Sequence, residues 1–286
     1  MASFELLEPV SLDEAFGLLD PGDPAVRPIG GGTALMLMMK AQIYRPERLV
    51  SLRRIKGRFS GITFDSGSGA VRIGAMTTFA DLEHSPGIRR ALPVIPQTML
   101  TLANVRVRNV ATVGGNLAHA DPHLDLPPVW AALGATATIV GPSGERTVPV
   151  EEIAAGYYET TLANDELLAE LDVPVRPGWR SLYVKVTTRA AHDWPALGLA
   201  LSMAIEGRAV RDLRLFLSAA VDRPTRLSAA EGVLRGAEIG EEAIRAAGEA
   251  AVAEAEIESD SRGSAPYKQH LLRVHLGRAI RALAGE

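Results

Sequence analysis

Pro28-Ile29-Gly30-Gly31-Gly32-Thr33-Ala34-Leu35 and Thr112-Val113-Gly114-Gly115-Asn116 are the stretches on which the reading of this chain turns. The first sets three glycines between an apolar strand and a Met-rich helix. Without Cβ atoms the main chain can take positive φ and lie against a ligand, and successive N–H groups can converge on an anion beside the helix N-terminus. It is not a Walker loop, because no Gly-Lys-Ser/Thr follows. Nor does it fit the Gly-x-Gly-x-x-Gly fingerprint, since Leu35 stands where the third glycine belongs. Taken alone, it suits either a phosphate cradle or a plain tight turn. The second stretch again offers N–H groups, with the Thr112 hydroxyl and the Asn116 carboxamide placed for phosphate or sugar oxygens. Two such turns, some eighty residues apart, suit a diphosphate held between two subdomains, which implies a dinucleotide.

Asn116 leads into Leu117-Ala118-His119-Ala120-Asp121-Pro122-His123-Leu124-Asp125-Leu126-Pro127. His119 and His123 with Asp121 and Asp125 allow a metal site, although Pro122 disfavours the regular helix that would put both histidines on one face. The other reading gives Asp121 and Asp125 turn-stabilising and capping roles. Asp125 precedes an apolar helix at Leu126–Leu133, so it is either an N-cap or an acceptor for ligand hydroxyls.

Working outward, residues 1–57 read as a small α/β unit: a helix at Leu12–Leu19, a strand at Ala25–Ile29, a helix at Thr33–Ala41 and a strand at Val50–Leu52. A second unit, 58–176, opens with a hairpin whose strands, Ile62–Phe64 and Val71–Ile73, flank the turn Asp65-Ser66-Gly67-Ser68-Gly69. Helices at Phe79–Glu83 and Leu92–Leu102, the Leu126–Leu133 helix, and strands at Thr136–Val140 and Thr147–Val150 follow. Pro174 to Gly178 suits a linker. The third unit, 177–286, reads as strands at Leu182–Thr187, Gly198–Ile205 and Asp212–Ala219, then helices at Ala229–Leu234, Glu241–Glu254 and Tyr267–Leu283, with 255–266 a loop.

At 286 residues the chain is long enough for two or three compact units, given that single cores seldom grow far past ~150 residues. The net charge of -4, from 34 acidic and 30 basic residues scattered along the chain, leaves no basic stripe for a phosphate backbone, so nucleic acid is not expected as a partner. Glu5 and Glu8, with no basic n-region, argue against a signal peptide, and a cytoplasmic location is expected. The longest uncharged stretch, Leu126 to Gly144, is broken by Pro127, Pro128, Gly134 and Pro142, so no membrane span is expected. With no cysteine, the chain holds no disulfide, no thiolate nucleophile and no cysteine-ligated iron–sulfur cluster. Met36, Met38, Met39, Met76 and Met99 read as adaptable core filler, and Trp130 and Trp179 as packing residues.

Gly30-Gly31-Gly32-Thr33 followed by Met38-Met39-Lys40, then Ile73-Gly74-Ala75-Met76-Thr77-Thr78, then Val107 through Pro122 resembles the FAD-binding middle subunit of the xanthine dehydrogenase and carbon monoxide dehydrogenase family. The likeness continues through Asp165-Glu166-Leu167-Leu168, Tyr183-Val184-Lys185 and Tyr267 to Val274, so it covers almost the whole chain. It implies an α+β fold. The first two units would form an FAD-binding fold of the vanillyl-alcohol oxidase (PCMH) type, and the third a three-stranded antiparallel sheet with a helix bundle. It further implies that Ile29, Gly30, Gly31, Gly32, Thr33, Ala34 and Leu35, with Thr112, Val113, Gly114, Gly115 and Asn116, wrap the FAD diphosphate. Asp125 would bind FAD hydroxyls, and Leu168 and Lys185 would sit beside the cofactor. Ala34 stands where the family often has a polar residue, and His123 and Leu124 where it commonly has small ones.

The same resemblance implies partners: a large chain with the molybdenum cofactor and a small chain with two [2Fe–2S] clusters, as a dimer of heterotrimers. Electrons would pass from the clusters to FAD and on to an external acceptor, with Lys185 stabilising the reduced ring. The rival readings are a self-contained FAD-dependent reductase or oxidase of the same fold, and a flavin-free scaffold. His119, His123, His192 and Trp194 are left without an assigned role.

Overall fold

The computed structural model describes residues 3–65, 67 and 69–285. Ser66 and Ser68 of the expected hairpin turn lie outside them, as do Met1, Ala2 and Glu286. The first unit comprises β1 (Glu5–Leu7), α1 (Leu12–Leu18), β2 (Val26–Ile29), α2 (Thr33–Lys40) and β3 (Arg48–Ser51). Because a helix connects each successive pair of strands, the sheet is parallel, in the order β1-β3-β2. Ser11 caps α1 by accepting from the Glu14 amide.

The second unit contains β4 (Ile62–Asp65), β5 (Ala70–Gly74), α3 (Phe79–His84), α4 (Pro86–Ala91), α5 (Val94–Met99), α6 (Val105–Arg108), α7 (Val113–His119), α8 (Leu126–Leu133), β6 (Thr136–Gly141), β7 (Gly144–Pro149), β8 (Ala154–Gly156), β9 (Glu159–Thr160) and β10 (Leu167–Pro174). Its five-stranded antiparallel sheet runs β4-β5-β10-β6-β7. The central strand, β10, is one that the sequence reading did not separate. Leu167 and Ala169 face the first unit, in one core with Val26, Val50 and Phe59. Past a bulge between Leu168 and Glu170, Leu171 and Val173 join Leu168 in the main core with Ile73 and Trp130.

The helix expected at Leu92–Leu102 is shorter, α5 at Val94–Met99, and is separated at Leu92 from a helix that was not expected, α4. Leu92 precedes Pro93 and is pushed out of helical space, to φ -136 and ψ 63.

The third unit is β11 (Trp179–Val186), β12 (Leu197–Glu206), β13 (Ala209–Ser218), the two-residue β14 (Thr225–Arg226), α9 (Ser228–Leu234), α10 (Glu241–Glu254) and α11 (Ala265–Ala284). The three expected strands form an antiparallel meander, which β14 extends at its edge. One face carries α9–α11, through Leu213, Leu215, Leu234 and Leu276. The other meets α8, where Ala200 and Phe216 join the core of the second unit. Packed between sheet and core, α8 is buried along its whole length. No helix among the described residues is long and apolar enough to cross a membrane.

Glu231 ties α9 to the sheet. It is 2% exposed, accepts from the Leu215 amide at 2.8 Å, and takes a two-pronged ion pair from Arg226 at 3.0 and 2.9 Å. Replacing it by alanine strands a buried amide and a guanidinium together, so Glu231→Ala should cost about 2–4 kcal/mol in urea unfolding. A loss under about 0.5 kcal/mol, the range of ordinary surface changes, would show that the network is not a structural anchor.

Candidate functional site

A cleft of about 510 Å³ opens between the three units. Its upper wall is the turn from Arg27 to Leu35. The facing wall comes from Leu102, Ala103, Val107, Ala111, Thr112, Gly115 and Asn116. The far end is made of His119, His123, Asp125, Tyr158, Lys185, His192 and Trp194. The two glycine turns, far apart in sequence, are pressed together at its centre. A Cβ on Gly31 would stand 2.0 Å from the Val110 carbonyl oxygen, and one on Gly30 2.8 Å from Thr112 Oγ1. No side chain fits between them.

Gly32 turns the chain into α2 with φ +74, in the left-handed region that glycine tolerates. The N-terminus of α2 has no side-chain cap. Among the described residues no protein acceptor faces the amides of Gly31, Gly32, Thr33, Ala34 and Leu35. Free amides at a helix start next to Arg27 make a positive concavity. Arg27 is held there by bonds to the Tyr44 hydroxyl and to Asn164 Oδ1, the latter 2.7 Å.

The second turn differs from its expected form, for its amides are not free. Val113 N donates to Thr77 O at 3.0 Å, Gly114 N to Ala75 O at 2.7 Å, Gly115 N to Thr112 Oγ1 at 3.2 Å and Asn116 N to Thr112 O at 2.9 Å. Thr112 caps α7, and the segment after β5 takes the remaining donors. What this turn presents to the cleft is Gly115, which is exposed, and the Asn116 side chain, whose Oδ1 is buried without a hydrogen-bond partner. Val113 and Gly114 are buried behind the wall, and a Cβ on Gly114 would meet the Ala75 Cβ at 2.6 Å. The free amides of the first turn, its bare main chain and the unpaired Asn116 oxygen together fit a diphosphate with its adjoining sugar.

Asp125 does not cap α8, because its backbone is helical and its carboxylate points elsewhere. Oδ2 accepts from Lys185 Nζ at 2.9 Å and Oδ1 from the Tyr183 hydroxyl at 2.7 Å. Lys185 also donates to Thr101 O at 3.0 Å. Both partners are over nine-tenths buried, so the lysine is half of a neutral pair and not a bare cation. Burial pushes the Asp125 carboxyl up, against the pull of Lys185 and Tyr183, and burial together with the Asp125 charge pushes the Tyr183 phenol well up. Leu168 lies in the main core and does not line the cleft.

At the far rim, Asp121 accepts from His123 and Tyr158, while Trp194 lies against the His123 ring at 5.1 Å. Tyr158 is pushed up to about 12 by burial and by the Asp121 charge. Among the described residues no group of three or more His, Asp and Glu is arranged to hold a metal. Arg27, Tyr44, Tyr158 and Asn164 escaped the sequence reading. Only Arg27, a lone cation in the apolar run Ala25–Ile29, carried a signal that could have been used.

The description "FAD binding domain in molybdopterin dehydrogenase" matches residues 2–176, and "CO dehydrogenase flavoprotein C-terminal domain" matches 182–283. The carbon monoxide dehydrogenase medium chain of Hydrogenophaga pseudoflava is 35% identical over 98% of this chain and 96% of its own length. The glyceraldehyde dehydrogenase medium chain of Sulfolobus acidocaldarius is 28% identical over 98% of each. Among solved structures, a chain of the Hydrogenophaga pseudoflava carbon monoxide dehydrogenase lacking the Mo-pyranopterin moiety superposes with a TM-score of 0.94. It is 34% identical and covers 99% of this chain and 98% of that one.

Gly114 and Gly115 separate folding from ligand contact. Gly114→Ala overpacks against Ala75 and should destabilise the protein by about 1–3 kcal/mol. Gly115→Val sets a Cβ 2.9 Å from Thr112 Oγ1, the cap of α7, so it should also lose about 1–3 kcal/mol, but the fraction that is folded, measured below its melting temperature, should have lost most of its FAD. Full FAD content in Gly115→Val would remove this turn from the cofactor's surroundings.

Proposed function

The chain belongs to the FAD-binding medium subunits of the molybdopterin dehydrogenases, and we propose that in such an assembly it relays electrons from a partner's [2Fe–2S] clusters to an external acceptor. It is an oxidoreductase subunit whose cofactor is FAD. The observation that carries the site assignment is the row of five amides, Gly31 to Leu35, that no acceptor faces among the described residues, in a cleft that Asn116 also lines. In this reading those amides and Arg27 hold the diphosphate. Thr112, Gly115 and Asn116 line its other side, with Val113 and Gly114 supporting them from behind.

When bound, FAD supplies a ring that accepts an electron pair and can release it singly or together; the protein sets its position and electrostatics. Asp125 has lone pairs left for FAD hydroxyls, and Lys185 has one donor left for the cleft. Leu168 acts through the core beneath. The absence of cysteine agrees with clusters carried on a separate small chain, beside a large chain with the molybdenum cofactor. A dimer of such heterotrimers is part of the proposal.

Two measurements test the reading. Acid precipitation should release FAD, not FMN, into the supernatant, and the native protein should co-purify with iron and molybdenum on partner chains. A lone chain that oxidises an organic substrate with an artificial acceptor would favour a self-contained flavoenzyme, and one that binds no flavin would favour a scaffold.

The buried pair gives a sharper test. Lys185→Met leaves Asp125 buried without its cation and should cost about 3–5 kcal/mol. Adding Asp125→Asn should recover part of that loss. If the reduction potential of Lys185→Met with FAD bound matches the parent, the Lys185 charge does not tune the flavin.

A further inference from the structure

Tyr183 does not line the cleft, yet its hydroxyl donates at 2.7 Å to Oδ1 of Asp125, which does. The sheet explains how it gets there. Lys185 on β11, Gly198 on β12 and Ser218 on β13 stand side by side, and the next row on the same face is Tyr183, Ala200 and Phe216. Ala200 and Phe216 belong to the main core, so this face is turned toward the second unit. A glycine inside a strand weakens it and often marks a close approach by another group. Here a Cβ on Gly198 would stand 2.4 Å from Ser218 Oγ, 2.7 Å from the Tyr183 hydroxyl oxygen and 3.4 Å from the Tyr183 ring. The phenol therefore lies across the space that a side chain on Gly198 would fill, and that slot carries its hydroxyl to Asp125. Ser218 Oγ, buried with no hydrogen-bond partner, closes the other side of the slot.

Asp125 is thus held at both oxygens. Lys185 Nζ donates to Oδ2 at 2.9 Å and Tyr183 to Oδ1, and burial with the Asp125 charge keeps the phenol protonated, so it stays a donor. A single donor would leave the carboxylate free to turn about its terminal bond, whose torsional wells are broad. Two donors at different places on β11 fix its plane. We propose that Tyr183 is a positioning residue for the cofactor: seated in the Gly198 slot, it sets the plane of the Asp125 carboxylate and so aims the remaining lone pairs into the cleft. The inference rests on Asp125 accepting from FAD hydroxyls. Tyr183 and Gly198 do not touch the cofactor, and both act on its affinity through that one carboxylate.

The test titrates FAD into the full-length chain freed of flavin, below the melting temperature of each variant. Tyr183→Phe keeps the ring and removes only the hydroxyl; it should raise the FAD dissociation constant about tenfold, the scale of one charge-assisted hydrogen bond. Asp125→Asn should weaken binding as well. Adding Tyr183→Phe to Asp125→Asn should weaken it no further, because both changes act through one carboxylate. Gly198→Ala displaces the phenol without deleting its hydroxyl, so it should repeat the loss in the parent and have no effect in the Asp125→Asn background. A merely structural hydroxyl would lower the urea stability of the apoprotein and leave the FAD affinity of the folded chain unchanged. That result, or losses that multiply in the double variant, would overturn the proposal alone. A parent that binds no FAD, or an Asp125→Asn variant that binds it as tightly as the parent, would overturn the site reading as well.

Discussion

The main-chain contact between Gly31 and the Val110 carbonyl is the constraint from which the cleft follows. The turn after β2 and the segment after α6 can approach this closely only because Gly31 has no side chain, since a Cβ there would overlap the Val110 carbonyl oxygen outright. With the turns in contact, the N-terminus of α2 has no room for a capping side chain and its first amides open into the cleft. In most helices a side chain or water would satisfy those donors. Here no side chain takes them among the described residues, so they stand as a positive field turned to the cleft.

The far end of the cleft is built on another principle. Asp125, Lys185, Tyr183 and the Thr101 carbonyl come from three segments, and every polar atom in the set has a partner. A buried ion pair contributes little net stability, because desolvation consumes most of its Coulombic gain. It does, however, penalise any displacement of β11 from α8 heavily. The third unit therefore acts as a rigid floor for the cleft, placed by charge pairing where the upper wall is placed by bare main chain.

Much of this was legible from residues alone. Glycine runs, strand–turn–helix spacing and the order of the motifs carry local information, and local information survives in a sequence. The second glycine turn shows where that fails: Gly114 and Gly115 look equivalent in the chain, yet one is packed on Ala75 and the other faces the cleft, a distinction made by a segment forty residues earlier. Asp125 reads as a cap because caps precede helices. Its true partners lie on β11, about sixty residues on, and no spacing rule reaches them. The strand β10 was missed because it is buried on both faces and bulged, which erases the alternation that marks a strand. Leu168, placed beside the cofactor by the resemblance alone, packs in the main core on that strand.

The position of β10 also sets the order in which the molecule can assemble during synthesis. Residues 167–174 fill the gap between β5, made about a hundred residues earlier, and β6, and they supply Leu167 and Ala169 to the core of the first unit. Until that strand leaves the ribosome, the five-stranded sheet has a gap at its centre and the core of the first unit lacks Leu167 and Ala169. Chains dominated by such distant pairings fold slowly and expose sticky surface while they wait. The second sheet must thus remain open through more than half the length of the chain, and close around its central strand late.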